Sequence, residues 1–96
     1  MEHCEHIQVS QSGHLLRVEI HRPEKRNAIS LAMYCAMAKA FQEADASESV
    51  HIVHLTGGAG QFTAGNDLAV FEGARDALPS EILSFMQSLM NCSKLV

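Results

Sequence analysis

The residues best suited to chemistry lie in a short segment that follows an apolar run and contains four glycines within nine residues. This segment, the glycine loop, runs from Leu55 to Leu68 and ends on the sequence Asn66-Asp67-Leu68. Glycine adopts positive φ angles readily and leaves main-chain N–H groups uncovered by side chains. We therefore expect the loop to let a ligand approach the backbone closely.

Two nucleotide-binding patterns can be compared with these glycines, and neither of them fits. The phosphate-binding pattern G-x-x-x-x-G-K-[ST] requires a lysine, and none follows the glycines here. The dinucleotide pattern G-x-G-x-x-G requires a third glycine where Thr63 follows Gly58 and Gly60. The loop is therefore not expected to bind a nucleotide phosphate in either way.

The histidines, cysteines and carboxylates elsewhere give weaker signals. His51 and His54 lie three residues apart on a predicted strand, so they point to opposite faces and cannot share a metal. We expect no metal site. Cys35 falls within a predicted helix, where a small buried thiol is the expected role. Asp67 precedes a short apolar segment and is expected to cap a helical turn through its carboxylate.

Length and composition exclude several classes of protein. The chain has 96 residues, 47% of them hydrophobic and 19% charged, which is typical of a single globular domain. Its net charge is −4 and its basic residues are scattered, which argues against a nucleic-acid partner. No apolar run approaches the roughly 20 residues of a membrane span, so no membrane partner is expected. The polar N-terminus and three cysteines without a pairing pattern predict a cytoplasmic protein with reduced thiols.

The hydropathy pattern predicts an α/β scaffold in the order β-β-α-β-α. Alternating apolar residues around Ser12-Gly13 indicate an antiparallel hairpin over about residues 7–20. Pro23 predicts that the polar segment after the hairpin is a loop. An apolar stripe with helical spacing then predicts a helix from about Leu31 to Asp45, with Ser30 as its N-cap.

The apolar run over residues 50–55 predicts a strand buried on both faces, as parallel strands usually are. Leu78-Pro79-Ser80 suits the start of a second helix, whose apolar stripe consists of Ile82, Phe85, Met86 and Leu89. Strand, helix and strand in this spacing imply a right-handed crossover. Ligands of open α/β sheets bind outside the carboxyl ends of the strands, and the glycine loop follows such an end.

Two motifs occur in a fixed order around the predicted helix and strand. The first is Arg22-Pro23-Glu24-Lys25-Arg26-Asn27-Ala28; the second combines Leu55-Thr56-Gly57-Gly58 with Phe62-Thr63-Ala64-Gly65-Asn66-Asp67-Leu68. Together they resemble the N-terminal part of the crotonase (enoyl-CoA hydratase/isomerase) superfamily. The resemblance covers almost the whole chain from Ile7. It implies crotonase-like ββα spiral units, incomplete in this chain, with residues 1–96 as the N-terminal part of a single domain.

The resemblance also implies a substrate and a site. The family binds acyl-CoA thioesters as substrates, without a separate cofactor, and stabilises an enolate-like intermediate in an oxyanion hole made of two backbone N–H groups. The position of Asn66 matches one of these donors, and each donor is worth about 3–4 kcal/mol by analogy with other oxyanion holes. The matching substrate-binding positions are Ala64, Gly65, Asp67 and Leu68, together with Lys25, Arg26 and Ala28 along the CoA nucleotide and pantetheine. For Lys25 and Arg26 a solvated pair of loop charges is the alternative.

Two reactions remain open under this resemblance: hydration of a 2-enoyl-CoA and Δ3,Δ2 double-bond isomerisation, both in fatty-acid metabolism. The Asn at position 66 matches the Asn of the Ser-Gly-Asn-Asp-Leu pattern in the isomerase branch, whereas many hydratases have Ala at this position. The family's second oxyanion donor and catalytic glutamates would follow Val96, so we expect the 96-residue chain alone to be inactive. The family usually forms homo-trimers or hexamers. The alternative is a non-catalytic CoA-binding or assembly module.

Overall fold

A computed structural model describes residues 4–58, 60–67 and 79–96, which contain three strands, two α-helices and a short 3-10 helix at Pro23–Lys25. The elements are β1 (Ile7–Ser12), β2 (Leu15–Ile20), α1 (Leu31–Ala46), β3 (Ile52–Gly57) and α2 (Ser80–Asn91). The sheet has the order β1-β2-β3, with β1 and β2 antiparallel and β2 and β3 parallel. The predicted α/β class and the predicted order of elements are confirmed.

The register of the sheet determines where the two motifs begin. Ile7 pairs with Ile20 across the hairpin, and Gly13 makes its tight turn with a φ of +60°. Ile20 in turn pairs with Gly57, so β2 and β3 end at the same edge of the sheet. The loops that follow these two strands therefore start side by side, at the carboxyl ends of parallel strands.

Helix α1 connects the two parallel strands and covers one face of the sheet. Ser30 is its N-cap, as predicted, and its hydroxyl accepts a hydrogen bond from the Met33 N–H at 3.3 Å. The whole predicted apolar stripe is buried: Tyr34, Met37, Ala38, Phe41 and Ala44. Cys35 follows the stripe by one residue, about 100° around the helix, and is exposed, so the prediction of a buried thiol is wrong.

The prediction that the third strand is buried on both faces is also wrong. β3 begins at Ile52, two residues later than predicted, and only one of its faces meets the core. Val53 is 1% exposed, whereas Ile52 is 41% exposed and His54 is also exposed. The apolar run suggested cover on both sides, but among the described residues a helix packs on one side only.

Helix α2 packs mainly on α1 and supports the core from outside. Ile82 is buried, and Phe85 and Leu89 pack against the core, as the predicted stripe requires. Met86 departs from that stripe and is 44% exposed. Pro79 stands at the N-cap position, just before the helix. The turn predicted after Asp67 and the irregular connection predicted over residues 71–78 lie outside the described residues.

After α2 the chain returns to the sheet beside β3. The Val53 N–H donates to the Leu95 carbonyl at 2.7 Å, and Ile52 and Leu95 form a parallel bridge. Residues 94–96 therefore lie where the next parallel strand of the sheet would begin. In the part of the chain that the structure describes, neither helix has the length and apolar character to cross a bilayer.

Candidate active site

The loop after β2 and the glycine loop after β3 are joined by one buried side chain, that of Asn27. Asn27 is only 1% exposed. Its Nδ2 group donates to the carbonyls of Gly58 at 3.0 Å and Gln61 at 2.6 Å, and its Oδ1 accepts from the Arg22 N–H at 2.7 Å. A buried amide is stabilising only when its donors and acceptors are paired, and here both ends are. Asn27 therefore clamps the two loops together.

The backbone at Asn27 explains why this residue type stands there. Arg26 and Asn27 have φ angles of +54° and +59°, in the left-handed region that most side chains avoid. Asn tolerates this region better than other non-glycine residues. Asn27 was not among the predicted site residues, although an Asn that follows a proline loop is a known turn signal.

Gly57 allows the glycine loop to fold back over the end of β3. A Cβ atom at this position would overlap the carbonyl oxygen of Gln61 and the backbone of Phe62. Because these are main-chain atoms, a rotamer change cannot remove the overlap. The close approach places the Gln61 carbonyl where Asn27 can reach it, so Gly57 and Asn27 depend on one another.

The second half of the glycine loop runs alongside the loop that follows β2. The Thr63 hydroxyl donates to the Asn27 carbonyl at 2.6 Å, and the Ala64 N–H donates to the Arg26 carbonyl at 3.1 Å. The same Thr63 oxygen accepts from the Gly65 N–H at 3.1 Å. These bonds fix the backbone up to Gly65 before it reaches Asn66.

Asn66 has an N–H group that is available to a ligand. The Ile29 N–H donates to the Gly65 carbonyl at 2.8 Å, and the Asp67 N–H donates to the Ile29 carbonyl at 2.9 Å. Because the peptide group is planar and trans, the Asn66 N–H points opposite to the Gly65 carbonyl, away from Ile29. Among the described residues no acceptor pairs with it, and Asn66 is exposed.

The conformation that presents this N–H requires Gly65. Its φ of +103° is strained for any residue with a side chain. No atom would contact a Cβ at Gly65 within 4 Å, so the requirement comes from the backbone angle and not from crowding. An exposed, directed N–H group is a suitable hydrogen-bond donor for an oxygen that acquires negative charge.

The side chain of Asn66 is held by a hydrogen bond from a residue of α1. The Tyr34 hydroxyl donates to the Asn66 Oδ1 atom, and the Tyr34 ring packs edge-on against Phe85 at 5.3 Å. Burial raises the pKa of the Tyr34 phenol above its ordinary value, so the hydroxyl keeps its proton at neutral pH. Tyr34 was predicted only as a core residue, because its position in the apolar stripe gives no sign of this bond.

The charge of Asp67 is compensated beside the site. Arg22 Nη1 donates to Asp67 Oδ2 at 2.8 Å and to the Ala28 carbonyl at 3.2 Å. The two side chains are 15% and 23% exposed, so the pair is shielded from much of the solvent. A paired carboxylate next to Asn66 repels an incoming negative oxygen less than an unpaired one would. Sequence reasoning missed Arg22 because its partner lies 45 residues away.

The other predicted site residues fall into three groups. Ala64, Gly65, Asn66 and Asp67 lie together on the segment that pairs with Ile29, and Ala28 is half-buried next to that segment. Lys25 and Arg26 are exposed on the loop after β2, at the same edge of the sheet. Leu68 lies outside the described residues. Within the described ranges, three or more potential metal ligands do not come together at any point.

Comparison with known proteins relates this arrangement to a family. A family model described as "Enoyl-CoA hydratase/isomerase" matches residues 10–96. The chain is 40% identical over 67 residues, or 69% of its length, to the Arabidopsis thaliana protein "Probable enoyl-CoA hydratase 1, peroxisomal". It is 38% identical over 65 residues, or 67% of its length, to the mitochondrial Delta(3,5)-Delta(2,4)-dienoyl-CoA isomerase of Mus musculus.

Solved structures share the fold of this chain. Pseudomonas aeruginosa OdaA superposes with a TM-score of 0.87 and 38% identity over 95% of this chain and 37% of its own. The chain spans 25% of the Arabidopsis relative and 20% of the mouse one. The resemblance deduced from the two motifs is confirmed: the chain belongs to the enoyl-CoA hydratase/isomerase family.

Proposed function

We propose that this chain provides one oxyanion donor and part of the CoA-binding surface of an enzyme acting on enoyl-CoA thioesters. The observation that carries the proposal is the Asn66 N–H, which is directed away from Ile29 and has no partner among the described residues. Both neighbouring residues are bound to Ile29, so the donor is held in place before a ligand arrives. Such preorganisation is what makes an oxyanion hole effective.

The proposed chemistry follows from where charge develops. The thioester oxygen gains negative charge when an enoyl-CoA loses a proton. It gains negative charge likewise when a nucleophile adds to the enoyl-CoA. The Asn66 N–H would donate to that oxygen, and the loss of one such donor costs about 3–4 kcal/mol of barrier. In this proposal a second donor and a glutamate that moves the proton come from sequence beyond Val96.

Several finer assignments belong to the same proposal. Lys25 and Arg26 approach the phosphates of CoA, while Ala28, Ala64, Gly65, Asp67 and Leu68 contact the acyl-pantetheine part. The reaction is hydration or Δ3,Δ2 isomerisation, and Asn66 favours isomerisation. The complete enzyme forms a homo-trimer or hexamer. The proposed compartment is the cytoplasm, although two relatives carry peroxisomal and mitochondrial names.

The test uses the protein encoded by the complete gene and two sets of substrates. Short and long trans-2-enoyl-CoAs test hydration, and the matching 3-enoyl-CoAs test isomerisation. We expect turnover with at least one set. If neither set is turned over at any chain length, the enzymatic proposal is wrong. Calorimetric binding of CoA without turnover would instead support a non-catalytic CoA-binding module.

A further inference from the structure

We propose that Tyr34 is a positioning residue for the oxyanion donor, because its hydroxyl holds the Asn66 carboxamide away from the Asn66 N–H. This inference rests on the proposed function of that N–H. It concerns a residue of the buried face of α1, which reaches the glycine loop through one hydrogen bond. Tyr34 does not touch the substrate in this proposal and acts only through Asn66.

The Tyr34 ring is well placed to hold a loop residue because it is buried and packs against Phe85. Tyr34 lies in the first turns of α1 and is buried. Phe85 of α2 packs edge-on against Tyr34, with 5.3 Å between the ring centroids. Phe41 packs against Phe85, with 5.7 Å between their centroids. This aromatic cluster leaves the hydroxyl at a fixed point beneath the glycine loop.

Asn66 needs such an anchor because asparagine side chains compete for nearby backbone donors. An Asn Oδ1 atom commonly bonds its own or a neighbouring N–H group. At Asn66 that competition would place an acceptor close to the N–H that the thioester oxygen requires. Donation from Tyr34 engages Oδ1 on the core side, so the main-chain donor stays open to the ligand.

The hydrogen bond from Tyr34 to Asn66 requires a protonated phenol. A phenol donates only while it keeps its proton, and burial raises the pKa of Tyr34. Tyr34 is therefore protonated throughout the neutral range and able to donate, and in the structure its hydroxyl donates to Oδ1. The carboxamide cannot rotate to present its NH2 group to Tyr34 without losing this donation.

The experiment measures polarisation of the thioester carbonyl directly. A CoA thioester whose chromophore is conjugated with the carbonyl absorbs at longer wavelength when an oxyanion hole polarises the bond. We expect a red shift with the protein encoded by the complete gene. Tyr34→Phe should lose most of this shift and lower kcat about fivefold to tenfold, the worth of one hydrogen bond. KM should change less than about twofold, because few ground-state contacts are lost.

Ser88→Ala is the matched control. The Ser88 hydroxyl accepts from Gln42 Nε2 at 2.9 Å, so this variant removes a hydrogen bond between α1 and α2 that is remote from Asn66. It should lower the melting temperature without reducing the red shift. Equal loss of the shift in Ser88→Ala and Tyr34→Phe would overturn the inference, since general loosening of the helices would then explain both.

A second pair of variants avoids the core altogether. Asn66→Ser cannot reach Tyr34 but keeps a competing side-chain oxygen, whereas Asn66→Ala removes both. The serine variant should therefore lose more of the red shift than the alanine variant, and Tyr34→Phe/Asn66→Ala should regain part of the shift lost in Tyr34→Phe. No difference between Ser and Ala would contradict the inference. A wild-type protein without any red shift would contradict the proposed function instead.

Discussion

The carbonyl of Gly65 accepts a hydrogen bond from the Ile29 N–H at 2.8 Å, and this single bond sets the direction of the next N–H group. Because the peptide between Gly65 and Asn66 is planar, its N–H must point away from Ile29 and out of the loop. The direction of this N–H therefore does not depend on the Asn66 side chain, which affects only whether the N–H stays open to a ligand. It depends on the pairing of two segments that follow neighbouring parallel strands.

That pairing is maintained by Asn27, so Asn27→Ala should destabilise the protein by about 2–3 kcal/mol. The substitution leaves the Arg22 N–H and the Gln61 carbonyl without their partner and places Ala at a φ of +59°. Chemical denaturation of wild type and variant measures the effect. Asn91→Ala, at an exposed position at the end of α2, is the control and should change stability by less than about 0.5 kcal/mol. Equal effects of the two substitutions would show that Asn27 is not a clamp.

The scaffold could be predicted well from the sequence because the spacing of apolar residues along the chain indicates the local secondary structure. The stripe of α1 and the alternation of the hairpin each come from a few neighbouring residues, and both are as predicted. The error at β3 arose because an apolar run does not reveal whether a second layer covers the sheet. Met86 shows the same limit, since an apolar residue at the edge of a stripe can face solvent.

The site was predictable only in part, for a related reason. Asn66 could be proposed as a site residue because the glycine loop is a contiguous motif that carries the family resemblance. Its supporting contacts join residues far apart in the chain: Asn27 with Gly58, Tyr34 with Asn66, and Arg22 with Asp67. No local pattern in the sequence encodes pairings across more than 30 residues, so these partners had to come from the fold.

Gly57→Ala should be among the most damaging single substitutions, at about 3 kcal/mol or more. The new Cβ would overlap main-chain atoms of Gln61 and Phe62, and backbone must move to relieve the overlap. Gly60→Ala is the matched control, because Gly60 has a φ of +75° but open space around it. Its cost is limited to backbone strain of about 1–2 kcal/mol. The melting temperatures of both variants provide the measurement. A larger decrease in melting temperature for Gly60→Ala than for Gly57→Ala would refute this prediction.

The isolated 96-residue chain should show no hydratase or isomerase turnover. The described residues offer one proposed oxyanion donor, the Asn66 N–H, and half of such a site without a proton-transfer group leaves most of the barrier in place. The measurement is the coupled spectrophotometric assay with the same enoyl-CoAs, using the protein encoded by the complete gene as the positive control. Turnover by the isolated chain that is lost in Gly65→Val would contradict this prediction.

Acid should weaken the attachment of the segment after α2. The Ser93 N–H donates to Asp45 Oδ1 at 2.8 Å, and hydrogen bonding from Ser93, with a smaller effect of the Lys94 charge, lowers the pKa of Asp45. A carboxyl with a lowered folded pKa adds stability above its unfolded pKa of about 3.9 and loses it as the pH falls through the folded value.

Asp45→Asn tests this dependence. The variant should be less stable than wild type at neutral pH, and the difference should shrink as the pH falls below about 4. Denaturation curves across that range provide the measurement. Glu43→Gln, an exposed substitution on the same helix, is the charge-matched control and should show no such convergence. A difference between wild type and Asp45→Asn that stays constant with pH would show that Asp45 does not act through its charge.

The ion pair between Arg22 and Asp67 should affect activity more than stability. Arg22→Met removes the guanidinium group that pairs with the Asp67 carboxylate beside Asn66, so in the proposed reaction the carboxylate would repel the charge on the thioester oxygen more strongly. We expect kcat to fall about tenfold in the protein encoded by the complete gene, whereas stability should fall by about 1–2 kcal/mol because the pair is only partly buried. Arg22→Met/Asp67→Asn removes both charges and should recover a large part of kcat. If the double variant is no more active than Arg22→Met, the role of Arg22 lies in its bond to the Ala28 carbonyl and not in charge compensation.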